Sequence, residues 1–559
     1  MDNRKYNIYF NTHTVSGIII CAILYVMFFA GSFSFFRDDL AAWQKNESYL
    51  SQKGLIKKDF NYVLDSLSRH HTLKGRDVDF TIQRNVPGAY VSMTASHDPE
   101  VQKLKSKKKP EAKRGGRGRR GDGDSAFFTY DFSKKKEADY ATSYTMGEFL
   151  YRLHFLAQLN QVFPFRLGVP FGYLLAGIVS FIFLFALITG LLLHWDKLVS
   201  NFFTFRPWTK WKTVWTDLHT VLGVIGFPYQ LVFALTGVIL IFNSFLIIPY
   251  TKLFYNGNEE KIYKDLNYGV KQEFPYARKP LQSSFDINQL VSQVQQKWER
   301  SDISLVAIRN YGDENMHVII QGKAHTDAQL NGQGEFIYRV RDQKVMAEHS
   351  PLDTPSYIDT VKGFIYHLHF GDYGGRPLRV IYFMLGIMGC LVINSGVMIW
   401  LVARDKKNIP VRKRAFNFWT ANVYISSSLS MLPVTAFAMI ALLFLDKPGQ
   451  PEIYHWYFYP WLVLSIYFLI RKDLDLVNRQ STFLAAVTCF LLPVLDGVVR
   501  SNWFWNTLNR QAYDILFIDV LFLILSLLSG VIWWKMEQKR RAEPSAVLTK
   551  EKVGQLGQA

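Results

Sequence analysis

Residues 13–34 read HTVSGIIICAILYVMFFAGSFS, and residues 219–240 read HTVLGVIGFPYQLVFALTGVIL. Each stretch opens on a histidine, has a glycine four residues later (Gly17, Gly223) and a second glycine eighteen residues after the histidine (Gly31, Gly237). The apolar run between is long enough for a hydrocarbon core of about 30 Å. Such a run reads as a membrane-spanning helix, because a helix satisfies its own backbone polar groups where no water is present. Two further runs match each other in the same way. Arg-Leu-His154-Phe precedes an apolar segment that reaches Thr189-Gly190, and His-Leu-His369-Phe precedes one that reaches Ser395-Gly396. The first four helices therefore read as two copies of a helix-domain-helix unit.

Working outward, apolar spans begin near Ser16, Val169, Thr220, Leu378, Ala421, Trp456, Ser481 and Tyr513, eight in all. A chain that is 49% hydrophobic and 16% aromatic, with its apolar residues in long runs, has the bilayer as its solvent and membrane lipid as a partner. The first run is too long for a cleavable signal peptide and lacks a small-residue cleavage site, so it is expected to stay as an anchor. Orientation follows from Lys and Arg in the short loops. Segments 196–217, 403–415 and 471–480 hold four, six and three of them, whereas 446–455 and 500–512 hold one and two. This places the first group in the cytoplasm, with both termini, and predicts a multi-pass inner-membrane protein.

The expected fold is that of a mainly α membrane protein with about eight transmembrane helices and two extracytoplasmic α+β domains. The parts are helix one (1–36), a first outward domain (37–146), helices two and three (147–248), a second outward domain (249–363) and helix four (364–405). A C-terminal four-helix membrane module (406–541) and a cytoplasmic tail (542–559) complete the chain. In the second outward segment, Asp286 to Glu299 has helical periodicity behind a capping Asp, and Ile303–Asn310, Met316–Gly322 and Gly334–Val345 read as strands. The first segment repeats that order, with a helix near Lys57–Leu67 and strands near Val78–Gln83, Ala89–Thr94 and Ala126–Phe132.

The net charge of +18 comes largely from the cytoplasmic flanks and from one Gly-, Lys- and Arg-rich run, Lys103 to Arg120, within a basic insertion at 103–124. That run reads as a disordered surface loop, not a nucleic-acid site. It holds a literal GxGxxG, Gly116 to Gly121, but neither the preceding strand nor the following helix that a dinucleotide site needs. Cys21, Cys390 and Cys489 each lie in a span and form no disulfide framework, and no CxxCH occurs. No GxSxG or HExxH is present either.

The histidines carry the chemistry. The repeats are parallel, so equivalent residues lie at equal depth and face each other across an axis along the membrane normal. His13 and His219 are then expected to form a cytoplasmic pair, and His154 and His369 a pair on the outer side. Interfacial preference would favour Trp, Tyr, Lys or Arg at such places. Two imidazoles on opposite faces of a haem leave no open iron position and suit electron transfer. Gly17 and Gly223, one turn after their histidines, either leave room for a flat macrocycle or permit close helix packing. His194 is an alternative ligand at the cytoplasmic end, and His367 at the outer end. His70, His71, His97, His317, His325 and His349 are expected on solvated surface. Zinc would want four clustered ligands, which these histidines do not supply.

The HTVSG at His13, the WTDLHTVLG ending at Gly223, the two LHF steps and the TG or SG steps at the helix ends carry a resemblance. Over about residues 1–405 the chain resembles the PepSY-associated transmembrane helix proteins, which include bacterial inner-membrane ferric-siderophore reductases. The resemblance implies that the outward domains are PepSY-like. It also implies a four-helix core with two non-covalent, bis-histidine haems b, and an oxidoreductase that reduces ferric siderophore in the periplasm from Fe(III) to Fe(II). The electron donor stays open between quinol and a cytoplasmic reductase. The last four helices hold one histidine, His455, and fit either a packing or oligomerisation module or an approach for quinol. The rival classes are a siderophore or iron transporter and a PepSY regulatory membrane protein. The first four spans lack the intramembrane carboxylates and broken helix pairs a transporter would use.

Overall fold

Among the described residues, eight helices of the computed structural model are long and apolar enough to cross a membrane, one for each apolar run of the sequence. The structure describes residues 2–50, 58–83, 86–106, 125–167, 169–207, 209, 211–258, 261–262, 265–266 and 274–542. The GxGxxG, most of the basic insertion and the tail beyond Ala542 lie outside the described residues. The chain divides into two units.

The first unit takes Met1–Glu47, Thr145–Tyr250 and Leu368–Ala559. Its first four spans are α1 (Asn3–Ser34), α7 (Phe171–His194), α9 (Trp211–Phe254) and α12 (Gly375–Arg404). Small residues let α1 and α12 approach closely, since a side chain at Gly386 or Gly389 would collide with Ser32 or Phe28. On another side of α1, Ile20, Leu24 and Met27 pack with Ala176 and Val179 of α7. The last four spans are α13 with α14 (Val411–Leu429, Met431–Leu443), α15 (Gln450–Arg471), α16 (Leu474–Arg500) and α18 (Tyr513–Ala542). The fifth span breaks at Ser430 because Pro433 has no N–H to donate to the Leu429 carbonyl. Ala421, Ile425, Phe468 and Val477 join this module to Cys21 and Val397 of the first four spans. The three cysteines are buried and free.

Short helices precede the second and fourth spans. One is α5 (Met146–His154), capped by the Thr145 hydroxyl on the Glu148 N–H, and the other is α11 (Tyr357–Phe370). A further short helix, α2 (Arg37–Lys45), follows α1 and belongs with the membrane unit, although the sequence placed it in the first outward domain.

The second unit, Ser48–Tyr144 with Thr251–His367, gathers both outward segments. Among the described residues, each half contributes four strands and a helix packed on them, and the first half adds α4 (Pro99–Ser106). The first has α3 (Phe60–His70) and β1 to β4 (Val78–Ile82, Gly88–Met93, Ala126–Asp131, Lys136–Ala138). The second has α10 (Ile287–Lys297) and, after a two-stranded ribbon in the membrane unit (β5, Arg166–Leu167; β6, Val169–Pro170), β7 to β10 (Ser301–Arg309, His317–Ala324, Gln333–Arg339, Lys344–His349). The two halves were read as separate domains; they share one antiparallel sheet of order β10-β9-β8-β7-β1-β2-β3-β4.

The central pair explains the union. In β1 and β7, Val78 faces Ile308 and Thr81 faces Leu305, a register that a twofold axis between the strands maps onto itself. The helices obey the same axis. Asp59 caps α3 and accepts from Asn288 Nδ2 at 2.7 Å, while Asp286 caps α10 and accepts from Asn61 Nδ2 at 2.7 Å. Inward residues alternate along the strands, so Val78, Phe80, Val306, Ile308, Val318 and Ile320 meet Phe60, Val63, Leu290 and Trp298 of the helices in one core.

Three details depart from the sequence reading. The stretch 334–345 is not one strand, because the chain turns after Val340 and Gln343 takes a φ of 53°. The first helix starts at Phe60 behind its Asp59 cap, and Lys57 lies outside the described residues. His317 is not on the surface: it is buried, stacks on Phe274 at 4.1 Å and faces the Asn315 carbonyl through Nδ1 at 2.9 Å.

Candidate functional site

Each end of the first four spans brings two histidines together. His13 of α1 and His219 of α9 have ring centres 6.1 Å apart, with planes at 64°. His154, the last residue of α5, and His369 near the end of α11 have centres 5.9 Å apart, at 39°. His13 and Met27, whose carbonyl holds His154, are fourteen residues apart on one continuous helix, a rise of about 21 Å. The two pairs are therefore separate sites stacked along α1.

The rings are fixed by their Nδ1 atoms. His13 Nδ1 lies 2.8 Å from the Ala186 carbonyl, and His219 Nδ1 lies 2.9 Å from the Val392 carbonyl, each 173 residues along the chain. The repeat thus extends to the hydrogen bonds. His154 Nδ1 lies 2.7 Å from the Met27 carbonyl, and His369 Nδ1 lies 2.7 Å from Thr236 Oγ1. A carbonyl oxygen only accepts, so Nδ1 of His13, His219 and His154 carries the proton and Nε2 keeps its lone pair. This is the tautomer of a metal-binding imidazole, with the other nitrogen anchored. His154 and His369 lie outside the spanning helices; burial holds His154 below the usual imidazole range and, with the His154 charge added, takes His369 down to about 3, so both are neutral at ordinary pH.

The glycines at the helix ends make space for these rings. A Cβ on Gly190 would sit 3.0 Å from His13 Cε1, and one on Gly396 would sit 3.0 Å from His219 Cε1. A Cβ on Gly31 would sit 2.5 Å from His154 Nδ1. Gly17 and Gly223 differ, since a Cβ at either would meet no atom within 4 Å. The protein leaves open the space one turn beyond His13 and His219.

These features allow a test of fit for haem. Two imidazoles bound on opposite sides of one metal, through nitrogens about 2 Å from it and about 1.1 Å from their own ring centres, have centres roughly 6.2 Å apart. The observed 6.1 and 5.9 Å fit that arrangement. Among the described residues, no group of three or more His, Cys, Asp or Glu converges as a metal site. Two nitrogens alone make an incomplete ligand set for a protein-only metal, whereas a macrocycle brings the equatorial ligands itself. The residues present fit haem.

His194 ends α7 one turn after Gly190, within electrostatic reach of His13 and His219. His367 and His369 share α11 but are two residues apart, about 200° around the helix, so they cannot offer a ligand at the same point. His455 rests against Tyr459 at 4.8 Å on α15.

The last four spans grip the helix that carries His154. Phe149 of α5 packs on Tyr457, Phe458 and Tyr454 of α15, with ring centres 4.7, 5.6 and 5.7 Å away. The Met146 N–H at the start of α5 donates to Gln44 Oε1 at 2.6 Å. Arg500 of α16 donates to the Trp43 and Gln44 carbonyls at 2.9 and 3.0 Å, closing the end of α2, and Trp43 Nε1 donates to Asp519 Oδ1 of α18 at 2.9 Å. The sequence reading missed these residues. Its available signal was the pair of carboxylates inside apolar runs, Asp496 and Asp519, both buried.

Eight spans, a repeated histidine core and a two-halved antiparallel sheet define a multi-pass membrane protein with a β-containing domain. The chain belongs to the PepSY-associated transmembrane family: the family model for the PepSY-associated TM region matches residues 10–403. No curated protein matches the chain.

Proposed function

We propose that this protein is a ferric-siderophore reductase of the bacterial inner membrane, carrying electrons outward through two haems b. His13 and His219 would hold the inner haem, and His154 and His369 the outer one. The observation that carries this reading is the pair of two-imidazole sites, each ring anchored through Nδ1 with its partner's centre about 6 Å away. A bis-histidine haem supplies a one-electron carrier with no open iron position.

The chain's own residues hold the rings and leave the space. The Ala186, Val392 and Met27 carbonyls and the Thr236 hydroxyl orient the imidazoles, while Gly31, Gly190 and Gly396 admit them. Absence of a CxxCH means that nothing binds the macrocycle covalently. With thirteen Lys and Arg in the short loops of one side against three on the other, the His13 end and both termini face the cytoplasm. Lys539, at the end of the last helix, donates to the Thr209 carbonyl in the loop before α9, so these two basic segments lie at the same end of the membrane unit. Quinol or a cytoplasmic reductase would be the electron donor. One electron converts Fe(III) to Fe(II), which the hard oxygen ligands of a siderophore hold less well, and the metal is released without acid-base residues.

The visible spectrum of the purified full chain tests this. Two haems per chain, with Soret and α bands that sharpen on reduction, are expected. Folded protein that binds no haem would contradict the reading and favour a transporter or a regulatory protein.

A further inference from the structure

Three of the four paired histidines face a backbone carbonyl through Nδ1; His369 faces a hydroxyl instead. The repeat shows what has been replaced. His13 and His219 are equivalent and 206 residues apart (219 − 13), so Met27 corresponds to Phe233 and Ala30 to Thr236. Where His154 has the Met27 carbonyl, His369 has the side chain of Thr236, which is 3% exposed. That hydroxyl has one proton, and the Val232 carbonyl 2.6 Å from Oγ1 takes it. Towards His369, Thr236 Oγ1 then acts as an acceptor, and His369 Nδ1 donates.

An amide oxygen carries more negative charge than an alcohol oxygen and pulls harder on an imidazole N–H. The stronger pull makes the ring a better electron donor through Nε2, which favours the oxidised state of iron bound there. The His13–His219 site has two carbonyl acceptors, and the His154–His369 site has one carbonyl and one hydroxyl. We propose that Thr236 is a positioning residue that weakens the donor strength of His369, raises the reduction potential of the His154–His369 site, and so biases electrons towards it. The inference rests on the haem reading above. It gives the direction of electron flow a cause in one side chain where the two repeats differ.

Thr236→Val keeps the volume and removes the hydroxyl, and His369 Nδ1 is expected to take the Phe233 carbonyl, the counterpart of the Met27 carbonyl that holds His154. Spectroelectrochemical titration of the purified full chain reads both potentials. The equilibrium constant for transfer from the first pair's haem to the second's is expected to fall roughly three- to tenfold, or about 30 to 60 mV for a one-electron couple. The fall should lie wholly in the second haem, and Thr236→Ser should keep the wild-type value. If Thr236→Val lost that haem, Thr236→Ala, which adds no bulk beside the ring, gives the same comparison. Two bound haems with an unchanged or raised potential in the variant would overturn the role of Thr236 alone. A wild-type chain without haem would overturn the haem reading together with it.

Discussion

At the scale of the residue, the four paired histidines differ from the others in what holds them. His13, His219, His154 and His369 are tied through Nδ1 to an atom on another helix, whereas His317 is tied to Asn315, two residues away in its own strand region. Replacing His154 or His369 with Ala is therefore expected to remove about one of two haems, as loss of half of a two-imidazole site would. Haem analysis by the pyridine haemochrome checks this, with His317→Ala and His70→Ala as controls that keep both. Unchanged stoichiometry in both ligand variants would remove the second pair from the account. The histidines were legible in the sequence because a metal-binding residue type recurs at matched places in two repeats. Their Nδ1 partners were not, since a backbone carbonyl has no residue identity to read. Thr236 was visible only as a Thr-Gly step, and nothing in the sequence said that its hydroxyl would meet a histidine.

At the scale of the element, the glycines separate two uses of a missing side chain. Gly31 is filled by the His154 ring, so Gly31→Ala puts a carbon 2.5 Å from Nδ1 and is expected to lower occupancy of the second haem alone. Gly17 faces open space, so Gly17→Leu strikes no protein atom at its Cβ. Compared as haem-free protein, its thermal stability is expected to stay within about 0.5 kcal/mol of the wild type, while the first haem is lost. Stable protein with both haems would show that the space at Gly17 does not belong to the macrocycle. The helix pair α2 and α5 offers a third test. Arg500 is the charged donor on the last carbonyls of α2, and hydrogen bonds to charged groups contribute about 1.5 to 3 kcal/mol each. Arg500→Ala is expected to lower the melting temperature and to loosen the second haem more than the first, which haem-specific spectra would follow. Helices of this kind were hard to read from sequence, because α2 and α5 are nine residues each and their order comes from partners more than 300 or 100 residues away. The spans were easy, because length and apolarity act locally. Strands β9 and β10 were merged in the reading because the turn at Gln343 carries no Gly or Pro to mark it.

At the scale of the whole molecule, one duplication explains both units. In the membrane unit it places His13 opposite His219 and repeats their hydrogen bonds at the same spacing. In the other unit it pairs β1 with β7 and exchanges the caps of α3 and α10. The sequence revealed the duplication but not that the outward halves would close into one sheet. Strand pairing between distant segments depends on register at the β1–β7 seam, which alternating apolar residues alone do not specify. The last four spans lie outside the duplicated part of the chain, and their legible content was their apolarity and their Lys and Arg. The central claim is a relay across the membrane, entered at His13–His219 and left at His154–His369. Its most direct measurement uses proteoliposomes with the electron donor on the His13 side, a ferric siderophore on the other, and an impermeant chelator to trap Fe(II). The wild type is expected to produce Fe(II) outside. His219→Ala should stop this while its remaining haem stays reducible by a chemical reductant added outside. Full donor-to-siderophore rates in His219→Ala would contradict the relay.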